Sequence, residues 1–483
     1  MNNASNLRPT TRFSLAPLFI LWLSSFLCVL GFLVFFGKPW IMSIFFPLAY
    51  MTLFGAVLMT IRMWSDWINP LSVILFIGFI RFSLPGLLLL RIKPNIPIFQ
   101  VMSLRMDDLF LGHVLAVVGL LGVVIGWFLP ARLPKAIFRQ IFVRLKTHLY
   151  GGVRHTAILG MLLGFIALVL FVRLNANVPI IEVIHTGKFR GIEIQEGTGK
   201  YFYLSLLLIA SSVVFSAYLA NKKYSWWVAL LPTIIAMIAF WVLGGRARAF
   251  TPFVAGLVLL WYRKGNPPKL TLRLALSWTL IIVMLTVFLL AGQLYRGGYG
   301  INGIKGALSI SALFEYVKWA VWVDLGHLHS LAGAVAIGPG VLGGRTFFAL
   351  LWPLTEILHL PGKSAGVFIA QTLVGFSKRK WGFHATLIGD AYLNFGLIGV
   401  FLVTTIFGMI LKTLYVEFRS GLINNVFYAL ILVYSTRVFF ESIEKYGEML
   451  MVLTCVLLII NLGQSLFRIS SGMEWANRLQ REL

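Results

Sequence analysis

The sequence predicts an all-α polytopic membrane protein, and three observations carry that expectation. Of 483 residues, 59% are hydrophobic and only 12% charged, whereas soluble domains run at about 45 to 50% apolar and about 25% charged. Apolar runs of about 20 residues, the length a helix needs to cross a hydrocarbon core about 30 Å thick, recur along the chain. Lys and Arg gather in short connections between those runs, as on cytoplasmic membrane faces. A soluble fold is thereby excluded. So is disorder, because 40 Phe, 15 Trp and 15 Tyr supply more buriable surface than a solvated chain carries.

In chain order the runs fall at roughly 15 to 37, 40 to 61, 68 to 90, 109 to 129, 156 to 174, 201 to 220, 225 to 243, 247 to 262, 272 to 291, 387 to 411, 421 to 438 and 447 to 466, about twelve spans in all. The first follows Arg8 and Arg12, is too long for a signal-peptide core and lacks a small-residue cleavage site, so it is expected to stay attached. Three basic connections set the orientation: Arg132 to Arg154, the Lys222–Lys223 pair, and Arg263 to Arg273. Twelve spans put both termini on the same side as these, so the N and C termini are expected to be cytoplasmic. The chain then divides into a membrane domain of about nine spans over 1 to 291, an external, periplasmic loop with interfacial helices over 292 to 386, and a membrane domain of about three spans with a cytoplasmic tail over 387 to 483.

A loop that long exceeds ordinary connections and points to function. Within it, 306 to 323 reads equally well as an interfacial amphipathic helix and as a helix packed on its own loop. The net charge is +25, from 41 Lys and Arg against 16 Asp and Glu. The cations divide about equally between the two sides, so the outer face is unusually basic and suits an anionic ligand. They form no compact stripe, which argues against nucleic acid. Both cysteines, Cys28 and Cys455, sit in apolar runs, leaving neither a disulfide framework nor a thiolate metal site.

Several motifs fail on context. Gly338, Gly340 and Gly343 match G-x-G-x-x-G without a strand before them, and read as a turn. Gly362-Lys363-Ser364 lacks the earlier glycine of a phosphate loop, since position 357 is Ile357. His327 and His329 have no third ligand in view, and no metal is expected.

The informative stretch is 375 to 399. Lys378, Arg379 and Lys380 lead through Trp381 and His384 into a membrane helix bearing Asp390 and Asn394. Four residues apart, Asp390 and Asn394 share a helical face with Ile398. A carboxylate at membrane depth is expensive and functional by default, a structural ion pair being the alternative. A second feature is Gly244-Gly245-Arg246-Ala247-Arg248, an outward turn in which guanidinium forks and close backbone amides suit a diphosphate, unless the arginines simply snorkel. Arg296 and Arg345 repeat the pairing of glycine with arginine. Arg437 and Glu441 are spaced i, i+4, which favours a simple intrahelical pair, though Arg437 lies at substrate depth. Arg81 is a lone charge in a span expected to bend near Pro85 and Gly86.

At Gly389-Asp390-Ala391-Tyr392-Leu393-Asn394-Phe395-Gly396 the chain resembles the oligosaccharide repeat unit polymerases, the O-antigen or Wzy-type family. There an acidic residue, an aromatic and an Asn-Phe-Gly turn enter a late membrane helix. The long late external loop and a mid-chain arginine flanked by glycine extend the likeness. This sequence has Asp390 where many relatives carry Glu. The resemblance implies a GT-C-like glycosyltransferase in the bacterial inner membrane, without metal or cofactor. It would transfer a glycan chain from undecaprenyl diphosphate onto the non-reducing end of a new undecaprenyl-diphosphate-linked repeat, building O-antigen or exopolysaccharide. A chain-length regulator and a flippase are its implied partners, beside the lipid-linked oligosaccharide and membrane lipids. In these terms Asp390 is the first choice for the catalytic base and His384 the second. Arg246, Arg248, Arg296, Arg345 and Arg379 become the diphosphate-binding set, with Asn394, Arg437, Lys378 and Lys380 elsewhere in the substrate site. An O-antigen ligase and a flippase or transporter for the lipid-linked repeat are the competing expectations.

Overall fold

The computed structural model describes residues 66–83, 104–129, 152–176, 199–243, 246–263, 327–347, 365–374, 384–443 and 445–482, with a few isolated positions between them. Every regular element among the described residues is helical. We number them α1 (Pro70–Gly78, continued as a π-helical turn over Phe79–Ser83), α2 (Met106–Phe128), α3 (Val153–Ala176), α4 (Gly199–Leu204), α5 (Leu206–Asn221), α6 (Trp226–Leu243), α7 (Arg246–Trp261), α8 (Leu328–Ile337), α9 (Ala365–Val374), α10 (Thr386–Arg419), α11 (Asn425–Phe440) and α12 (Lys445–Glu482). Among the described residues, five stretches are long and apolar enough to cross a membrane: Asp107–Phe128, Val153–Asn175, Lys200–Asn221, Thr386–Arg419 and Lys445–Phe467. Each falls on an expected run, and the shorter apolar helices α1, α6, α7 and α11 fall on four more. The runs at 15 to 37, 40 to 61 and 272 to 291 lie almost wholly outside the described residues, as does the stretch 306 to 323.

Two compact units share the chain. One comprises residues 1–141, 318–422 and 434–448; the other comprises 142–317, 423–433 and 449–483. In lipid, helices gain nothing from burying apolar surface against one another and associate instead through close contact at small residues. Both units follow that rule. In the first, α2 presents Gly112, Gly119, Gly122 and Gly126 on one face. The backbone of α8 at Leu331 and Ala332 covers Gly112, while Ile388, Thr404 and Thr405 of α10 cover the other three. Gly408 of α10 returns the contact against the Val123 backbone. In the second unit, Gly160 and Gly164 of α3 take Ser211 and Leu208 of α5, and Gly463 of α12 sits against Val153. Thr156 ties this last contact by donating to the Ile459 carbonyl at 3.0 Å.

Local signals set the helix ends. Asn69 caps α1, its side chain accepting from Ser72 N at 3.0 Å with Pro70 in the first turn. Asp108 accepts the Arg105 amide at 2.9 Å at the head of α2. Asp66, fully buried, accepts from the Tyr415 hydroxyl at 2.7 Å, so a carboxylate pins the chain before α1 to the far end of α10.

α10 is two helices joined by a break. Gly396 stands at φ 68°, ψ −161°, a conformation open to glycine and strained for other residues. The break withdraws amides that would otherwise close on the carbonyls of Tyr392 and Leu393. Those carbonyls accept instead from Gly340 N at 3.1 Å and Leu342 N at 2.9 Å. The glycine-rich segment is therefore a turn, with Gly338, Gly340, Gly343 and Gly344 all at positive φ, and it straps the broken helix from outside. Ile398 follows the break, so it does not share the Asp390–Asn394 face: it is 74% exposed whereas both polar residues are buried.

Candidate active site

The first ten residues of α10 hold Asp390 and Asn394 in a fully packed environment. Asn394 donates to the Asp390 carbonyl at 2.6 Å and also to Thr346 Oγ1 in the strap. Asp390 Oδ2 accepts the backbone amide of Ile443 at 3.3 Å. One turn earlier, the Thr386 amide donates to the Glu441 carbonyl at 3.1 Å, and Thr386 Oγ1 accepts from Gly389 N at 3.1 Å. Two bonds thus dock the link between α11 and α12 onto the head of α10. Thr386 has φ 62°. A β-branched side chain is unfavourable in that left-handed region, and such strain collects at functional sites.

The docked link carries a buried ion network. The Arg437 guanidinium grips Glu441 through two bonds, Nε to Oε1 at 3.1 Å and Nη2 to Oε2 at 3.0 Å, and reaches Glu448 Oε1 through Nη1 at 2.8 Å. The Tyr434 hydroxyl adds a bond to the same Glu448 oxygen at 3.3 Å. Lys445, at the rim, stands 3.6 Å from Glu448 and 3.9 Å from Glu441. Burial alone would raise the Glu441 carboxyl, but Arg437 and then Lys445 bring it down to about 2. The i, i+4 pair expected from sequence is real. It is half of a larger network, and it lies out of solvent rather than at a surface.

Beside this network is a histidine pair. His384, exposed and two residues before α10, stacks on the buried His327 ring with centroids 5.4 Å apart and planes 24° from parallel. Arg81 Nη1 faces His327 Nε2, and His327 N donates to the Arg81 carbonyl at 3.2 Å. The π-helical turn at Phe79–Ser83 delivers Arg81 to this position; such turns are frequent at functional sites. The guanidinium also lies over the Phe440 ring at 5.3 Å. His384 keeps an open edge, but burial of the rest of the ring pushes its pKa below the ordinary imidazole value. Glu441 opposes that shift, and Lys445, Arg81 and Arg437 reinforce it.

The site thus unites Asp390, Asn394, His384 and Arg437 from the sequence reading with Arg81, His327, Thr386, Glu441 and Glu448. Arg81 and Glu441 were visible as charges in or beside spans, whereas Thr386 and Glu448 gave no local signal. Arg345 is exposed in the strap. Arg248 belongs to the other unit, where its guanidinium stacks on Phe202 at 3.7 Å, a contact that anchors it against an aromatic face. Arg246 opens α7, and its side chain lies outside the described residues, as do Arg296, Lys378, Arg379 and Lys380. No group of three or more His, Cys, Asp or Glu suited to a metal ion occurs among the described residues. No protein-family model, curated protein or solved structure matches the chain.

Proposed function

We propose that this membrane protein polymerises lipid-linked oligosaccharide repeats. A glycan chain on undecaprenyl diphosphate is transferred to the non-reducing end of a new lipid-linked repeat, on the outer face of a bacterial inner membrane. The observation that carries the reading is the placement of the Gly389–Gly396 motif: its helix opens at a strained threonine, between an exposed imidazole and a buried acid held by a backbone amide.

In this reaction an acceptor hydroxyl oxygen bonds to the anomeric carbon as that carbon's bond to the diphosphate oxygen breaks. The diphosphate leaves with the electron pair, and the hydroxyl proton passes to a base. His384 fits the base better than Asp390. It keeps an exposed edge, and a pKa below the ordinary imidazole value favours the neutral ring that can accept a proton. Asp390 is 1% exposed and accepts the Ile443 amide, so it holds the link in place. The preference drawn from sequence is therefore reversed. Cations stabilise the negative charge that builds on the leaving diphosphate. Arg345, exposed in the strap, is the described cation of the expected set that belongs to the same unit as His384. GT-C-like architecture and twelve spans belong to the same proposal.

The test is polymerisation by the purified protein from a lipid-linked repeat, read as a ladder of chain lengths. The wild type builds the ladder, while His384→Gln releases no undecaprenyl diphosphate and builds none. An unchanged ladder from His384→Gln removes the imidazole from the chemistry, and no ladder from the wild type removes the function.

A further inference from the structure

The histidine stack carries an inference that rests on the proposed transfer and concerns how the base is kept ready. An arginine side chain has donors only and does not lose its proton in proteins. Since Arg81 Nη1 faces His327 Nε2, that nitrogen must be the acceptor, which places the His327 proton on Nδ1 and leaves the ring neutral. The backbone bond from His327 N to the Arg81 carbonyl at 3.2 Å fixes the two residues in register. His327 is 3% exposed and lies face to face with His384 at 5.4 Å. We propose that Arg81 and His327 are positioning residues that make His384 the single proton-accepting imidazole of the site, with the neutral His327 ring as the π-face against which its cation rests.

The physical need is plain. Two stacked imidazoles that interact strongly take up protons in two steps that belong to the pair, and a base built that way is half-spent over much of the working range. A ring locked neutral instead presents its electron-rich face to the imidazolium that forms beside it. The other groups facing His384 are fixed in charge or buried. They are Arg81 from the π-helical turn, His329 from α8, Arg437 at the end of α11 with Glu441 just beyond it, and Lys445 from α12.

The experiment uses the full chain in lipid nanodiscs. Diethyl pyrocarbonate, which modifies neutral imidazole, is applied across a pH series, and labelling at His384 is read by peptide mass spectrometry beside the pH profile of polymerisation. In the wild type, His384 labels along one titration step and His327 stays unlabelled. Arg81→Met frees His327 Nε2, so the His384 curve splits into two steps and the acid limb of polymerisation follows it. Adding His327→Phe to Arg81→Met keeps a stacked ring that cannot titrate and restores the single step, a rescue that a merely structural Arg81 would not show. A single unshifted step in Arg81→Met, or two steps persisting in the double variant, overturns the proposal. Labelling needs no substrate: the expected curves without chain formation would sink the polymerase reading and leave the histidine assignment standing.

Discussion

The seam between α2 and α10 and the ion network at 437–448 belong to the same unit and solve the packing problem in opposite ways. From Gly119 to Gly126 the seam brings backbones together over glycine, threonine and aliphatic side chains, the inexpensive way to join helices in lipid. The network places one guanidinium and two carboxylates where each is under a tenth exposed. A buried ion pair returns about what its desolvation costs, and apolar replacements of similar size are often as stable. The seam is therefore explained by stability alone. The network is not, and what it does beyond stability is dock the strained head of α10, with Asp390 and His384, onto the 441–443 link.

The largest expected effect separates those roles. Glu448→Gln strips one partner from Arg437 and should cost about 3–5 kcal/mol, read as a fall in thermal unfolding temperature in detergent. Replacing the network together, Arg437→Met with Glu441→Leu and Glu448→Leu, should recover most of that stability yet build no chains. Polymerisation at wild-type rate by the triple variant would reduce the network to a fold element. The pH dependence has a definite sign. With the Glu441 carboxyl lowered to about 2, its contribution to stability is complete above the unfolded value of about 4.5 and is lost as pH falls toward 2. The triple variant should lose that acid dependence.

At the seam, a Cβ added at Gly126 would collide with the Thr405 carbonyl, which is backbone and cannot move aside. Gly126→Ala should cost about 1–3 kcal/mol as overpacking, without altering the pH profile of chain formation. A changed profile would mean that the seam reaches the chemistry after all. Gly396→Ala, forced to hold φ 68° and ψ −161°, should cost about 1–3 kcal/mol and loosen the strap at Gly340 and Leu342. Limited proteolysis between 338 and 347 reports that loosening; unchanged protection there would show that the strap does not depend on the break.

The same contrast governs what was legible in the sequence. Hydrophobic length located the described helices other than α8 and α9, because a bilayer imposes that length wherever the chain crosses. Asp390 and Asn394 stood out because polar groups at membrane depth are rare, and Arg437 with Glu441 because four residues make one helical turn. The histidine stack was not legible. Arg81 and His327 lie 246 positions apart, and no local pattern encodes a contact of that span. Thr386 reads as an ordinary helix-entry residue until its φ is known, and Gly396 as one more glycine in a membrane helix. The face expected to run from Asp390 to Ile398 failed for that reason: helical periodicity holds only while the helix does.

The smallest expected effect is the sharpest probe of how the network touches the chemistry. Lys445 is about one-fifth exposed, and its contacts to Glu441 and Glu448 are the longest in the cluster, so Lys445→Gln should change stability by less than about 1 kcal/mol. Its charge nevertheless lowers the His384 pKa. Removing that charge raises the pKa and the imidazole stays protonated to higher pH, and in the proposed transfer a protonated His384 could not accept the hydroxyl proton. The acid limb of the polymerisation profile should therefore move to higher pH in Lys445→Gln while the alkaline plateau keeps its height. A seam variant of equal stability should move neither. If instead the plateau falls with the limb in place, the lysine acts on the leaving diphosphate, and the network's electrostatic reach extends past the base to the departing group.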